Sequence, residues 1–165
     1  MILAIDIGLA NCGWAVIGKD GKVINCGVIS TKKTKGINNT LDHWGRMLGL
    51  RTALSNILQT YVGVTHIAVE AISWPRNASA TSKIGMAWGV VSSICGHLKF
   101  IPIAPVEAKK FLTGNRKASK EEMIDEVIKR LPLQNNFLLK IRKTKREHAA
   151  DAVAVGLTAQ SKLCP

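Results

Sequence analysis

Acidic residues are scarce in this sequence. Asp and Glu together number 11 against 23 Lys and Arg, which gives the 165-residue chain a formal net charge of +12. A positive surplus of that size favours a polyanionic partner, most often a nucleic acid. A basic protein without such a partner is the weaker alternative.

Long apolar runs and paired cysteine motifs are also missing. No run is long enough to span a bilayer, and no basic segment precedes the short apolar run at the N-terminus, so we expect neither a membrane span nor a signal peptide. The four cysteines, at positions 12, 26, 95 and 164, show no C-x-x-C spacing. They are typical of core residues in a reducing compartment rather than of a zinc site or a disulfide framework. We therefore expect a cytoplasmic protein.

Neither an internal repeat nor a low-complexity segment interrupts the chain, and its 47% hydrophobic content suits one domain over residues 1–165. Apolar runs predict strands at residues 2–5, 14–17, 22–30, 65–72 and 100–104, with a turn around Gly8 and residues 11–13. Helical spacing predicts helices at 40–61, 77–98, 119–131 and 146–162, a helical turn at 105–112, and a polar connection over 133–146. This order predicts a mixed α/β domain with a central sheet.

Three acidic residues interrupt apolar sequence: Asp6 in LAIDIG, Glu70 in IAVEAI and Asp151 in HAADAVAV. The other eight, Asp42 among them, lie in polar neighbourhoods or turns. A carboxylate in an apolar element is costly unless something compensates it. If the three meet, their repulsion raises some of their pKa values unless a cation lies between them, and Mg²⁺ or Mn²⁺ suits such oxygen ligands. Three separate acids with separate partners are the less favoured alternative.

His148 lies three residues before Asp151, so a helix places both on one face. An imidazole there can ligate a metal or act as a base near neutral pH. A lone helical histidine is more often structural, but the neighbouring carboxylate favours a functional role. Glu147, four residues before Asp151, is a weaker candidate.

These four positions resemble those of the RuvC family of Holliday-junction resolvases, which have a ribonuclease-H-like fold. The matching segments are AIDIGLANCGWAVI, HIAVEAI, RNASATSKIGMAWGVV and REHAADAVAVGL, in that order over nearly the whole chain. The resemblance implies an α/β fold with a central mixed five-stranded sheet flanked by helices. It assigns the catalytic and metal-binding roles to Asp6, Glu70, His148 and Asp151. Many members have Asp where this chain has His148, and some have His.

The resemblance also implies a mechanism. Two Mg²⁺ ions, replaceable by Mn²⁺, would assist phosphodiester hydrolysis that leaves a 5′ phosphate, with Asp6 bridging both ions. The expected substrate is a four-way DNA junction cut by paired symmetric nicks. Phage relatives of the family cut three-way junctions and forks as well, so a broader branched-DNA nuclease is the alternative. A catalytically silent DNA-binding module and an actin-like or sugar-kinase ATPase, suggested by the DIG motif, are less favoured.

Basic residues and one tryptophan are the candidates for DNA contacts. The segment LLKIRKTKRE has no acid before Glu147, and beside a nuclease site such a run favours phosphate contacts over the ordinary role of a solvated loop. The resemblance adds Lys109 and Lys120, and Trp74 is a candidate either to stack on an unpaired base or to pack on the core. The full set is Trp74, Arg76, Lys83, Lys109, Arg116, Lys117, Lys120, Lys140, Arg142, Lys143, Lys145 and Arg146, and the surface could extend to Lys32, Lys33 and Lys35.

Small residues form a stripe on the helix predicted at 77–98. They are Gly85, Gly89, Ser92, Ser93 and Gly96. The stripe either packs on the chain's own sheet or, as the resemblance implies, forms a symmetric dimer. A homodimer with two sites matches the two equivalent strands of a four-way junction.

Overall fold

A five-stranded sheet lies at the centre of the computed structural model, which describes residues 1–71, 77–131 and 137–163. The strands are β1 (Ile2–Asp6), β2 (Asn11–Ile17), β3 (Val23–Ser30), β4 (His66–Glu70) and β5 (Lys99–Ile103). Their order in the sheet is β3-β2-β1-β4-β5. The first three strands are antiparallel, whereas β4 and β5 run parallel to β1. The expected mixed five-stranded sheet is confirmed.

Helices cover both faces of this sheet. They are α1 (Asn39–Thr60), α2 (Ala78–Cys95), α3 (Pro105–Thr113), α4 (Lys120–Arg130), α5 (Phe137–Lys140) and α6 (Arg146–Leu163). Alternate residues of a strand point to opposite faces. Leu3 and Ile5 of β1 therefore join the core beneath α1 and α2, while Ile2 and Ala4 join the core beneath α3 to α6. In the described part of the chain no helix is long and apolar enough to cross a membrane.

The helix α6 is the most buried of these elements. Nearly every residue from Ala149 to Ala159 is inaccessible to solvent, as the apolar sequence predicts. Gly156 allows this close packing, because a Cβ at that position would come 2.5 Å from a side-chain carbon of Ile17. The helix is thereby fixed across β1 and β2, with its first turns at the end of the sheet where β1 stops.

The sequence predicts a turn around Gly8 and residues 11–13, and this prediction is wrong for residues 11–13. Strand β2 already begins at Asn11, and Asp6 pairs with Gly13 in the ladder between β1 and β2. Gly13 is required for a different reason, since a Cβ there would overlap the carbonyl oxygen of His148 in the first turn of α6. The glycine permits close approach of a helix rather than a chain reversal, and the reversal lies over residues 7–10.

The connection predicted over 133–146 contains structure that the polar sequence concealed. Helix α5 and a 3-10 turn at Lys143–Lys145 lie within it, and Leu138 is fully buried. Ser119 caps α4: its hydroxyl accepts from the Glu122 N–H, and the Glu122 carboxylate accepts from the Ser119 N–H. Pro132 follows α4 in the sequence, where a proline is expected to stop a helix, and it lies outside the described residues.

Candidate active site

Asp6 and Glu70 are the last residues of adjacent parallel strands. Ile5 pairs with Val69, so the two acids are the next residues along β1 and β4. The alternation of side chains along each strand sends both toward the α6 face, because the preceding Ile5 and Val69 belong to the opposite core. Asp151, in the second turn of α6, approaches from that side. Sheet register and helix packing thus bring three acids from distant parts of the sequence to one end of the sheet.

His148 makes a direct contact within this group. Its Nδ1 lies 2.8 Å from Oδ2 of Asp6, and both side chains are mostly buried. This hydrogen bond raises the pKa of His148 above its ordinary value. The contact depends on the close approach of α6 to β2 at Gly13, so a glycine in a strand sets the position of the imidazole.

The carboxylates influence one another electrostatically. Burial raises the pKa of Glu70 to about 7, and the negative charges of Asp6 and Asp151 add to the rise. Burial likewise raises the pKa of Asp151 to about 6, with the charge of Asp6 as the next cause. The sequence-based expectation of raised pKa values for converging carboxylates is therefore met.

The arrangement is not a closed metal cage. Over residues 1–71, 77–131 and 137–163, no three His, Cys, Asp or Glu side chains lie close enough together to hold a metal ion. The donor chemistry nevertheless fits a hard divalent cation, which prefers carboxylate oxygens. The raised pKa values of Glu70 and Asp151 mean that burial and repulsion disfavour their charged forms, and a bound cation would compensate this cost. Binding would require the side chains to close around the ion.

Two lysines border the acids. Lys109 and Lys120 line a small cavity of about 120 Å³ together with Glu70 and Asp151. The Lys109 Nζ donates to the carbonyl of Ala118 at 2.8 Å. The Lys120 Nζ lies 2.6 Å from Oε2 of Glu147. Only the family resemblance indicated these two lysines. Their local sequences contain no feature that distinguishes them from the other lysines of the chain.

The other predicted DNA-binding residues are spread over the surface. Lys83 lies on α2, Arg116 and Lys117 lie in the loop before α4, and all three are exposed. Lys140 at the end of α5, Arg142 in the link that follows and Lys143 in the 3-10 turn are exposed, and Lys145 of that turn donates to Ser30 Oγ. Trp74 and Arg76 lie outside the described residues.

Arg146 has structural contacts of its own. Its Nε donates to the carbonyl of Ile141 and its Nη2 to that of Leu139, at 2.9 and 3.0 Å. These bonds hold the segment between α5 and α6 in place. The DNA-binding role of Arg146, like that of the other cations, stays a prediction.

Asp42, one of the acids with polar neighbours in the sequence, is buried in the structure. Its exposed fraction is only 2%, and it pairs with Arg46, four residues further along α1. The i,i+4 spacing of Asp42 and Arg46 is the sequence feature that could have predicted this ion pair.

The order and directions of the five strands, with helices on both faces, define a ribonuclease-H-like α/β fold, and three acids lie at one end of its sheet. A protein-family model described as "Crossover junction endodeoxyribonuclease RuvC" matches residues 2–159. The chain belongs to this family. The expectation of a crossover junction endodeoxyribonuclease is thus confirmed at the level of the family.

Individual relatives agree with this membership. A RuvC of Petrotoga mobilis is 32% identical over 161 residues, covering 93% of this chain and 89% of the relative. A RuvC of Natranaerobius thermophilus is 28% identical over 163 residues, covering 95% and 92%. Both are described as crossover junction endodeoxyribonucleases.

Solved structures show the same fold. RuvC of Thermus thermophilus, solved in complex with a Holliday junction substrate, superposes with a TM-score of 0.74 at 23% identity, covering 98% of this chain and 94% of that one. The yeast mitochondrial Holliday junction resolvase Ydc2 gives a TM-score of 0.61 at 17% identity, covering 98% and 81%. The ribonuclease-H-like fold expected from the sequence is confirmed.

Proposed function

We propose that this chain resolves four-way DNA junctions by metal-dependent hydrolysis of phosphodiester bonds at the end of the sheet where Asp6, Glu70 and Asp151 meet. The observation that carries the proposal is the convergence of three partly buried carboxylates, two with raised pKa values, in a chain with a net charge of +12. Membership of the crossover junction endodeoxyribonuclease family supports it.

The three carboxylates are the proposed ligands of Mg²⁺, with two ions at the site and Mn²⁺ as a substitute. When bound, such ions activate water and neutralise charge on the leaving oxygen. His148 orients the Asp6 carboxylate through the 2.8 Å bond from its Nδ1. It then serves either as a nitrogen ligand or as the group that takes up a proton.

Lys109 and Lys120 are proposed to contact the phosphate beside the reacting bond, because both line the cavity that Glu70 and Asp151 share. The exposed cations of α5 and the 3-10 turn extend the contact along the DNA backbone. Phosphate contacts of this kind give strong salt dependence and carry no sequence information. The cytoplasmic location inferred from the sequence stays a prediction.

The proposed assembly is a homodimer through α2. The small residues of its stripe are exposed, and a Cβ on Gly85 or Gly89 would meet no neighbouring atom, so this stripe faces away from the chain's own sheet. Beside it, Trp88, Val91 and Phe100 line an apolar cavity of about 280 Å³. Light scattering is expected to give twice the 17.9 kDa of one chain. A Gly89→Arg variant should give a monomer, whereas Gly45→Arg, at an exposed position of α1, should not.

The activity is tested with four-way, three-way, flap and linear duplex substrates, each in Mg²⁺ and in chelator. We expect cleavage of the four-way junction in Mg²⁺ only, and loss of cleavage with retained binding in Asp6→Asn. Equal cleavage of three-way junctions and flaps would favour the broader branched-DNA nuclease. Binding without cleavage by the wild type would indicate the silent DNA-binding module.

A further inference from the structure

Two basic segments that are far apart in the sequence meet in the fold. The loop between β3 and α1 carries Lys32, Lys33 and Lys35, and the segment around the 3-10 turn carries Arg142, Lys143 and Lys145. The Lys145 Nζ donates to Oγ of Ser30 at 2.6 Å across a separation of 115 residues. We call these six cations the basic ridge.

The first half of the ridge is held by a buried ion pair. Asp42 accepts from the Thr34 N–H at 2.7 Å, and its other oxygen lies 3.5 Å from Nη1 of Arg46. The Arg46 Nε donates to Oγ1 of Thr31 at 2.8 Å. The pair thus holds the loop at two points, Thr31 and Thr34, and the lysines between and beside them remain exposed.

The same loop is bonded to the turn that follows the catalytic strand. The Thr31 N–H donates to the carbonyl of Ala10 at 3.0 Å, and its hydroxyl donates to the carbonyl of Leu9. These carbonyls lie three and four residues beyond Asp6. The ridge therefore has a fixed position relative to the end of β1, although none of its cations lines the cavity between Glu70 and Asp151.

Within residues 1–71, 77–131 and 137–163, no cation of the ridge forms an ion pair with an acid. The sequence contains one acid between positions 21 and 69, Asp42, which is buried against Arg46, and none between Glu126 and Glu147. Exposed lysines and arginines without acids suit an array of phosphates better than a protein surface of mixed charge.

We propose that the basic ridge binds the phosphate backbone of one duplex arm of the branched DNA, outside the cleavage centre, and that Asp42 and Arg46 are positioning residues that hold its lysines in place. This inference rests on the proposed function and extends its DNA contacts from the 3-10 turn to the loop between β3 and α1. It assigns the ridge to affinity for the arm and not to bond cleavage.

The test is the salt dependence of junction binding, measured without divalent cations so that no cleavage occurs. Each lost phosphate contact reduces the slope of log Kobs against log [salt] by about 0.9. A variant with Lys32→Gln, Lys33→Gln and Lys35→Gln should therefore have a slope shallower by about 2.7. Because the three side chains are exposed, this variant should fold, which its thermal denaturation checks.

The matched control removes three lysines at the opposite end of the sheet, with Lys19→Gln, Lys22→Gln and Lys162→Gln. It makes the same change in net charge, and its slope should differ from that of the wild type by less than about 1. Equal changes of the salt slope in the two triple variants would mean that only net charge matters. That result would overturn the proposed role of the ridge.

The positioning role is tested by Asp42→Asn and by the milder Arg46→Lys, both of which keep every lysine of the ridge. Each should make the salt slope shallower in the variant that remains folded. A wild-type slope in a folded Asp42→Asn or Arg46→Lys protein would overturn that role while leaving the ridge itself intact. Binding data test the ridge and cleavage data test the proposed function, so failure of one is distinguishable from failure of the other.

Discussion

Replacing Asp151 by Asn should make the metal-free protein more stable at neutral pH while abolishing cleavage. The pKa of this buried carboxyl is raised from 3.8 to about 6, chiefly by burial and then by the charge of Asp6. One pKa unit corresponds to about 1.4 kcal/mol, so a rise of about two units means that ionised Asp151 opposes folding by roughly 3 kcal/mol. An amide of the same shape carries no charge and avoids most of this cost.

The sign of the pH dependence follows from the direction of the shift. A carboxyl whose pKa is raised in the folded state favours folding fully below its unfolded pKa, and that contribution is lost as the pH rises through the folded pKa. The advantage of Asp151→Asn should therefore be small near pH 4, grow toward pH 6 and stay constant above it. We expect about 1–3 kcal/mol at pH 7.5, because relaxation around the charge reduces the full value.

Urea denaturation in chelator at pH 4.5, 5.5, 6.5 and 7.5 measures this difference. Asp125→Asn, on exposed α4, is the matched control and should change the free energy of unfolding by less than about 0.5 kcal/mol at every pH. Added Mg²⁺ should then stabilise the wild type and have little effect on Asp151→Asn, because a ligand stabilises only the state that binds it. A variant less stable than the wild type at pH 7.5, or an advantage independent of pH, would show that the buried charge of Asp151 does not oppose folding.

Three further predictions concern the surroundings of the carboxylates. Gly13→Ala should destabilise the protein by several kcal/mol in urea denaturation and reduce cleavage, since its Cβ would overlap the His148 carbonyl, whereas Gly45→Ala in α1 should be neutral or stabilising by up to about 1 kcal/mol. Glu147→Gln should tighten junction binding at low salt because it releases Lys120 from their 2.6 Å ion pair; weaker binding in a fluorescence titration would contradict this. The affinity for Mg²⁺, measured by calorimetry, should rise from pH 6 to pH 8 as the carboxyl groups with raised pKa values lose their protons, and a flat profile would show that these groups are not ligands.

Local pattern was sufficient to predict part of this site. Asp6 and Glu70 each follow a short apolar run, and the alternation of a strand gives both acids one direction once the two strands are parallel neighbours. The apolar sequence of α6 predicts a buried helix, which carries Asp151 inward. That the helix crosses the same end of the sheet depends on contacts between distant segments, and no local pattern contains them.

The features that the sequence did not reveal have the same origin. Gly13 has the composition of a turn, but its role is set by a helix that begins more than a hundred residues later. Asp42 has polar neighbours in the sequence, but the loop between β3 and α1 folds over it and supplies the Thr34 N–H. In both cases the local sequence is compatible with more than one conformation. Contacts with distant segments of the chain determine which conformation forms.

Carboxylates with raised pKa values persist in this strongly basic chain although two cations lie beside them. Lys109 and Lys120 each lower the pKa of a neighbouring acid, Glu70 and Asp151 respectively, but burial and mutual repulsion outweigh them. Both ammonium groups have other partners, the Ala118 carbonyl and the Glu147 carboxylate. A lysine in a direct ion pair with one of these acids would occupy its carboxylate oxygens and compete with a divalent cation for them. Because the two ammonium groups are bonded to the Ala118 carbonyl and the Glu147 carboxylate, they leave the oxygens of Glu70 and Asp151 available to a metal ion. They lie close enough to the acids to attract the phosphate that the proposed reaction requires.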